Sequence, residues 1–329
     1  MIITKTPFRI SFFGGGTDYP VWSRNHGGQV LSTTIDKYCY ISVRYFPPFF
    51  PYKYRIVYSK IETVKEVNEI LHPAVKAALQ FFKVEKGLSI HHDGDLPART
   101  GLGSSSSFTV GLLHALHALQ NQEISKEELA KEAMHLEQDI LRENVGSQDQ
   151  VAVSYGGFNK ITFSQSGEFR VEPVQVSNEQ VKELESSLRL YFTGFSRYAS
   201  EVAKTQIENI QNRERELTLM HTMVDEGIRI LNGNKGMEEF GRLLNETWQI
   251  KKSLSDKISN PEIDAMYEKA IEAGALGGKL LGAGAGGFLL LLIPPDKQQA
   301  VREALHGFLE VSFAFENNGS QIIYKNHQA

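Results

Sequence analysis

Apolar and polar positions alternate from Ile2 to Phe13, the two-residue period of a strand, and the run stops at Gly14-Gly15-Gly16. A second glycine break at Gly27-Gly28 precedes Val30–Tyr45. That segment is rich in Thr, Ile, Tyr and Val, and reads as one or two strands. Proline blocks strand and helix alike, so Phe46-Pro47-Pro48-Phe49-Phe50-Pro51-Tyr52 reads as a loop. Short strands are predicted at Arg55–Tyr58 and Leu88–His92, flanking a mostly helical Val64–Phe82 interrupted near Pro73. The period then lengthens: Phe108, Leu112, Ala115, Leu116 and Leu119 line one face of a predicted helix over Ser104–Leu119. Ser125-Lys126-Glu127-Glu128 forms a capping box for a helix reaching about Arg142. Val151–Tyr155 reads as a short helix closed by Gly156-Gly157, and Phe158–Phe163 as a strand.

The turn-rich stretch Ser164 to Ser177 marks a boundary between a first domain, 1–175, and a second, 176–329. In the second, strands are expected at Leu188–Thr193, Lys279–Leu281, Phe288–Ile293 and Ile322–Tyr324. Helices are expected over Ala199–Leu231, Met237–Leu254, Pro261–Ala273 and Lys297–Leu309. This order predicts an α+β sandwich with a mainly antiparallel sheet.

Composition narrows the class without changing the picture. The chain has 329 residues, 41% hydrophobic and 22% charged, with a formal charge of −4 and no basic block, which argues against nucleic acid as a partner. Its single cysteine, Cys39, lies in an alternating strand pattern and cannot form an internal disulfide; a reducing cytoplasm fits it. Met1-Ile2-Ile3-Thr4-Lys5 carries no signal-peptide core, and the apolar run from Gly286 to Pro295 is too short to span a bilayer, so no membrane is expected. Oligomeric state is not legible.

Five segments carry candidate chemistry. Ala98-Arg99-Thr100-Gly101-Leu102-Gly103-Ser104-Ser105-Ser106-Ser107 opens the predicted helix at 104. Two glycines let backbone amides approach an anion, and the helix end offers free N–H groups and a positive dipole, so the segment reads as a phosphate cradle or as a serine-rich cap. It lacks the lysine of a Walker loop. Arg9 interrupts an apolar strand, and Asp18 follows a triple-glycine turn, as a ligand for sugar hydroxyls or as a local cap. Glu137 has Ala133, Met134, Ile140 and Leu141 as its helical neighbours, which puts a carboxylate on a buried stripe, for Mg²⁺ (with the Ser105 hydroxyl) or for a salt bridge. Asp149, in Gly146-Ser147-Gln148-Asp149-Gln150, is a cap or a base for an attacking hydroxyl. Gly282, Gly284 and Gly287 formally satisfy a dinucleotide fingerprint, but a strand follows them instead of a helix. A close backbone approach to a ligand or to the first loop explains them better. His91-His92 and His114/His117 have no metal-site spacing.

Taken in order, Pro7 to Tyr19, Pro97 to Ser107 and Lys279 to Gly287 resemble the three motifs of the GHMP kinases, and the match spans the chain. Gly14-Gly15-Gly16-Thr17-Asp18, Gly27-Gly28-Gln29-Val30-Leu31, Thr34-Ile35-Asp36 and Gln148-Asp149-Gln150 resemble the branch that acts on D-glycero-D-manno-heptose 7-phosphate. The resemblance implies an N-terminal α/β domain and a C-terminal ferredoxin-like domain, with ATP and sugar in the cleft between them. It implies ATP on the amides of Gly101, Leu102, Gly103, Ser104, Ser105 and Ser106, and Mg²⁺ held by Ser105 and Glu137. It implies Asp149 as base, Arg9 near the transferred phosphoryl group, and sugar contacts from Asp18, Thr17, Gly16 and Gly284. The loop Phe46–Tyr52 and the segment Tyr19-Pro20-Val21-Trp22 depart from the heptose enzymes, and both are expected near the sugar.

The activity this implies is ATP-dependent phosphorylation of the anomeric hydroxyl of a sugar phosphate. A kinase for a free sugar such as fucose or galactose is the alternative, and a non-catalytic sugar and ATP sensor a further one, which the presence of both Asp149 and Glu137 disfavours. A phosphate already on the sugar needs cations outside the ATP loop; Arg24, His26, Lys37, Arg44 and Arg99 are the candidates.

Overall fold

In the computed structural model, which describes residues 1–194, 199–233 and 236–326, the opening alternation becomes strand β1 (Ile2–Phe13). β1 pairs antiparallel along β2 (Gly28–Tyr45), one continuous strand. β3 (Tyr54–Val57), β4 (Ile61–Val64), β5 (Leu88–Gly94), β6 (Phe158–Phe163) and β7 (Phe169–Pro173) extend this sheet. Its pairs are antiparallel apart from β3 on β5. The helical pattern expected from Val64 resolves into β4, a single 3₁₀ turn at Val67–Glu69, and a helix over Pro73–Phe81. Pro73 starts that helix instead of interrupting one, because its missing N–H is unneeded at the first position. The turn-rich boundary contains β7, which closes a hairpin with β6.

The second sheet consists of β8 (Leu188–Phe192), β9 (Gly277–Leu280), β10 (Phe288–Leu292) and β11 (Leu309–Val311), in spatial order β11-β8-β10-β9 and all antiparallel. The helices Glu214–Leu231, Gly236–Ser253 and Pro261–Glu272 lie between β8 and β9, and Gln298–Ala304 lies between β10 and β11. This is the split βαβ arrangement of ferredoxin-like domains. The expected helix over Ala199–Leu231 is broken at Ile210–Asn212.

The last strands differ from expectation. β12 (Phe315–Glu316) pairs with β2, and β13 (Gln321–Lys325) pairs with β1. The strand pattern at Ile322–Tyr324 is correct, yet it belongs to the first sheet, so the chain returns to the N-terminal unit after Val311. Phe12 and Phe13 of β1 meet Phe240 of the Gly236–Ser253 helix edge to face, at ring separations of 5.7 and 5.1 Å. One core therefore runs through both units. No helix among the described residues is long and apolar enough to cross a membrane.

Candidate active site

The four serines behind β5 have separate tasks. The backbone passes through left-handed conformations at Arg99, Gly101 and Gly103 (φ +65°, +84° and +74°), and the helix Ser104–Leu119 starts directly after. The first N–H bonded within the turn is that of Ser107, to Gly103 O at 2.9 Å, so the preceding amides point outward unpaired by the helix. Ser104 Oγ accepts from the Arg99 N–H at 3.1 Å and ties the loop together. Ser105 is exposed. Ser106 is buried and donates to Glu137 Oε2 at 2.9 Å. Ser107 Oγ lies 2.9 Å from Pro7 O and 3.0 Å from Gly103 O, and anchors the helix to β1. The hydroxyl beside Glu137 is thus Ser106, and the expected partner Ser105 lies one position outside it on the helix surface.

Arg9 and Asp149 form a two-pronged ion pair, Nε to Oδ1 at 2.7 Å and Nη2 to Oδ2 at 2.8 Å. Arg9 Nη1 also donates to Gly101 O at 2.6 Å, and its backbone N–H to Leu102 O at 3.0 Å. A Cβ on Gly103 would lie 3.1 Å from Arg9 Cγ and 3.4 Å from Asp149 Oδ2. The carboxylate therefore sits directly against the last glycine of the phosphate cradle. Each of its oxygens keeps a lone pair beyond the one given to Arg9, and the side chain is 24% exposed, so it can still accept from an incoming hydroxyl.

Asp18 is 1% exposed. Its Oδ1 accepts from Gly16 N at 2.9 Å and its Oδ2 from Gln148 N at 3.2 Å, while its carbonyl accepts from Ser147 N at 3.1 Å. Burial, with the Asp149 charge behind it, pushes this carboxyl up from the ordinary aspartate range. A Cβ at Gly146 would fall 1.8 Å from Asp18 Oδ2, so glycine is required there. Asp18 thus locks the Gly14–Gly16 turn to the loop that carries Asp149. Thr17 is fully buried, its hydroxyl within 2.8 Å of Gly14 O and 2.9 Å of Gln29 O, and is spent inside the turn.

Glu137 lies on a π-helical turn, His135–Ile140, closed by Leu141 N donating to Leu136 O at 2.9 Å. The wider turn rotates its expected apolar neighbours: Ile140 is 41% exposed, yet Glu137 itself is buried to 1%. Oε2 accepts from Ser106 and Gln150, and among the described residues no hydrogen bond of good geometry reaches Oε1. Desolvation pushes the carboxyl up to about 7, with Thr109, Gln150 and Ser106 opposing it. A buried carboxylate whose Oε1 lacks a well-aligned donor, beside a hydroxyl at the phosphate-loop helix, is a donor set that fits a hard divalent cation.

The third glycine segment presses on the cradle. A Cβ on Gly282 would lie 2.4 Å from the Gly101 Cα, and one on Gly287 would lie 2.2 Å from Thr100 O. Its target is the Gly101 loop, the close backbone approach expected of these glycines. Gly284 packs on the Ile258 backbone, where a Cβ would approach within 2.8 Å, and not on the Asp18 turn. Two buried lysines stabilise this arrangement. Lys279 Nζ donates to Phe12 O at 2.8 Å. Lys251 Nζ donates to Leu280 O at 3.0 Å and to Gly282 O. Burial lowers Lys251 to about 7, with Arg9 adding to the shift and Asp18 opposing it, because its ammonium is enclosed away from water. Sequence reading passed over Lys251. The signal was present: it stands four and seven residues after the buried Thr247 and Leu244, a lysine on an apolar stripe.

The loop Phe46–Tyr52 is not at this site. Thr34 of β2 lies opposite Arg9, and the loop begins beyond Tyr45, roughly 35 Å further along the strand. Its rings Phe46, Phe50 and Tyr52 stack on one another. Tyr19, by contrast, does border the site, within the field of Asp18 and Asp149.

A glycine cradle at a helix N-terminus, with a carboxylate held against it and a second buried beneath it, defines an ATP-dependent phosphotransferase. Residues 64–157 match the model of the GHMP kinases N terminal domain, and residues 230–311 that of the GHMP kinases C terminal. The chain is 30% identical over 339 residues to D-glycero-alpha-D-manno-heptose 7-phosphate kinase of Campylobacter jejuni subsp. jejuni serotype O:2, covering 97% of both chains. It is 27% identical over 341 residues to the galactokinase of Pyrococcus furiosus, covering 92% of both. The crystal structure of a D-glycero-D-manno-heptose 1-phosphate kinase from Bacteroides thetaiotaomicron has the same fold, with a TM-score of 0.81 at 24% identity over 100% of both chains. The chain belongs to the GHMP kinase family and is an ATP-dependent sugar kinase.

Proposed function

We propose that this kinase phosphorylates the anomeric hydroxyl of D-glycero-D-manno-heptose 7-phosphate, giving the 1,7-bisphosphate and ADP, in the cytoplasm. The observation that carries the chemistry is the Asp149 carboxylate fixed by Arg9 against Gly103. The substrate comes from the C. jejuni relative, whose 30% identity extends over 97% of both chains.

The amides of Gly101 to Ser106 cradle the ATP phosphates. Asp149 accepts the proton of the C1 hydroxyl as its oxygen bonds the terminal phosphorus, and the bond from that phosphorus to the bridging oxygen breaks to release ADP. Arg9 orients the carboxylate, and its two unused N–H groups can face developing phosphate charge. Ser106 and Glu137 would hold Mg²⁺, which when bound neutralises phosphate charge. Asp18, with Gly16 and Gln148, positions the acceptor side of the site.

The test is an ADP-release screen over D-glycero-D-manno-heptose 7-phosphate, hexose 6-phosphates, mannose, fucose and galactose, with product analysis for phosphate at carbon one. The highest kcat/KM is expected on the heptose phosphate. A preference for fucose or galactose would transfer the reading to a free-sugar kinase, and ligand binding without ADP release to a sensor.

A further inference from the structure

Arg24 and His26, candidates for binding a phosphate on the sugar, are exposed on the helix Pro20–His26. Lys37 pairs with Asp36 at 2.8 Å, and Arg44 is exposed near the end of β2 remote from Arg9. The cations that the fold does place beneath the site are two buried lysines of the second domain, Lys251 and Lys279, 7% and 2% exposed. Enclosing an ammonium is costly unless strong acceptors meet it, and a methionine would fill similar space without that cost. The acceptors are what distinguish these two residues. Each lysine donates to backbone carbonyls, and the carbonyls lead to opposite sides of the active site.

Lys251 stands on the helix Gly236–Ser253 and donates to Leu280 O at 3.0 Å and to Gly282 O. Gly282 is the residue whose backbone presses on the Gly101 Cα, and Gly101 O in turn accepts from Arg9 Nη1 at 2.6 Å. Lys251 therefore fixes the glycine that shapes the ATP cradle. Lys279, on β9, reaches the other way, to Phe12 O at 2.8 Å. β1 pairs with β2 through Ser11 with Ser32 and then Phe13 with Leu31, so Phe12 lies at a bulge. A bulge interrupts the ladder and bends the strand, and Gly14-Gly15-Gly16 follows directly. Lys279 thus pins the chain where it enters the turn that Asp18 locks. Both lysines lie in the field of Arg9 and of Asp18. Their mount is stiff: a Cβ on Gly277 of β9 would lie 1.9 Å from Gly241 O of the helix, backbone against backbone.

We infer that Lys251 and Lys279 are positioning residues with divided tasks, Lys251 holding the ATP cradle through Gly282 and Lys279 holding the acceptor turn through Phe12. Each acts through a backbone carbonyl, from one rigid unit of the second domain onto the first. The inference rests on the proposed assignment of the Gly101 loop to ATP and of the Asp18 turn to the sugar. It does not depend on which sugar is the acceptor.

The experiment measures KM for ATP, KM for the sugar and kcat in the wild type, Lys251→Met and Lys279→Met, with the sugar that gives the highest kcat/KM in the screen above. Lys251→Met is expected to raise KM for ATP about 3- to 10-fold, the size of a lost hydrogen bond, and to leave KM for the sugar within about two-fold. Lys279→Met is expected to do the converse. A merely structural role reads differently: partial unfolding removes active enzyme, so apparent kcat falls and both KM values hold. That result, or an equal rise of both KM values in either variant, overturns the division of tasks. Asp18→Asn separates this from the underlying reading. If it raises KM for the sugar and Lys279→Met does not, the lysine assignment fails and the acceptor turn stands; if neither raises it, both fail. Gly282→Ala serves in the same way on the ATP side. Lys251→Gln and Lys279→Gln keep an N–H donor on a shorter stem, and carry the same comparison where a Met variant does not fold, with the same KM expected to rise.

Discussion

Gly282 and Gly101 touch through their α-carbons: a methyl group on Gly282 would be 2.4 Å from the Gly101 Cα. The second domain thereby braces the ATP cradle with backbone alone, at a position where φ is +72°. Gly282→Ala imposes both a clash and a left-handed conformation costing about 1–2 kcal/mol. The expected result is a KM for ATP raised at least several-fold, in a protein that still folds. A wild-type KM for ATP would show that this contact does not shape the cradle.

Asp149→Asn keeps the shape but loses proton affinity. Because a positioned base contributes roughly 10²–10⁴-fold, kcat is expected to fall by that order while ATP binding, followed by nucleotide titration, persists. Turnover within a few-fold of wild type would remove Asp149 from the base role.

Glu137→Gln separates a metal ligand from a structural group. The native carboxyl is pushed up to about 7 by burial, so at pH 8 its ionised form destabilises the metal-free fold. The variant is therefore expected to melt higher than wild type without Mg²⁺ at pH 8, and to need at least ten-fold more Mg²⁺ for half-maximal ADP release. An unchanged metal titration would return Glu137 to a purely structural role.

Lys251→Met tests the buried amine. Its folded-state value of about 7 lies below the ordinary lysine value of 10.5, so from pH 7 to 10.5 the unfolded chain holds a proton that the native protein lacks. This group's contribution to stability therefore rises with pH across that window and is lost as pH falls toward 7. Removing it also strips donors from the carbonyls of Leu280 and Gly282, about 1–3 kcal/mol for each left unsatisfied. Urea unfolding at pH 7, 8 and 9 should show the wild type's advantage over the variant growing with pH. A constant difference would mean that Lys251 stays charged in the fold.

Local patterns were legible where local physics decides. The alternation from Ile2, the serine-rich helix start and the Ser125 capping box were each readable, because strand period and end-capping involve residues within a few positions. The helix Asn178–Ser187 was missed although Ser177 and Gln180 form a capping box, its apolar face being too thin to show a period. The exchange of Ser105 for Ser106 has another cause. Which of four consecutive serines faces Glu137 depends on the rotation of the helix against β1, set by Ser107 anchoring to Pro7 and by the packing of two other elements.

By itself the sequence determined the class of chemistry: glycines able to adopt left-handed turns, a helix opening on amides, and carboxylates in positions that cost energy unless used. Only the tertiary structure decided how these parts meet. It placed Arg9 on Asp149 across 140 residues, Asp18 in the space left by Gly146, and Gly282 on Gly101. It also returned the last strands to the first sheet and set the aromatic loop far from the site. These are contacts between distant segments, fixed by strand register and by close packing of a shared core, and no local pattern of residues encodes which partner fills a given space.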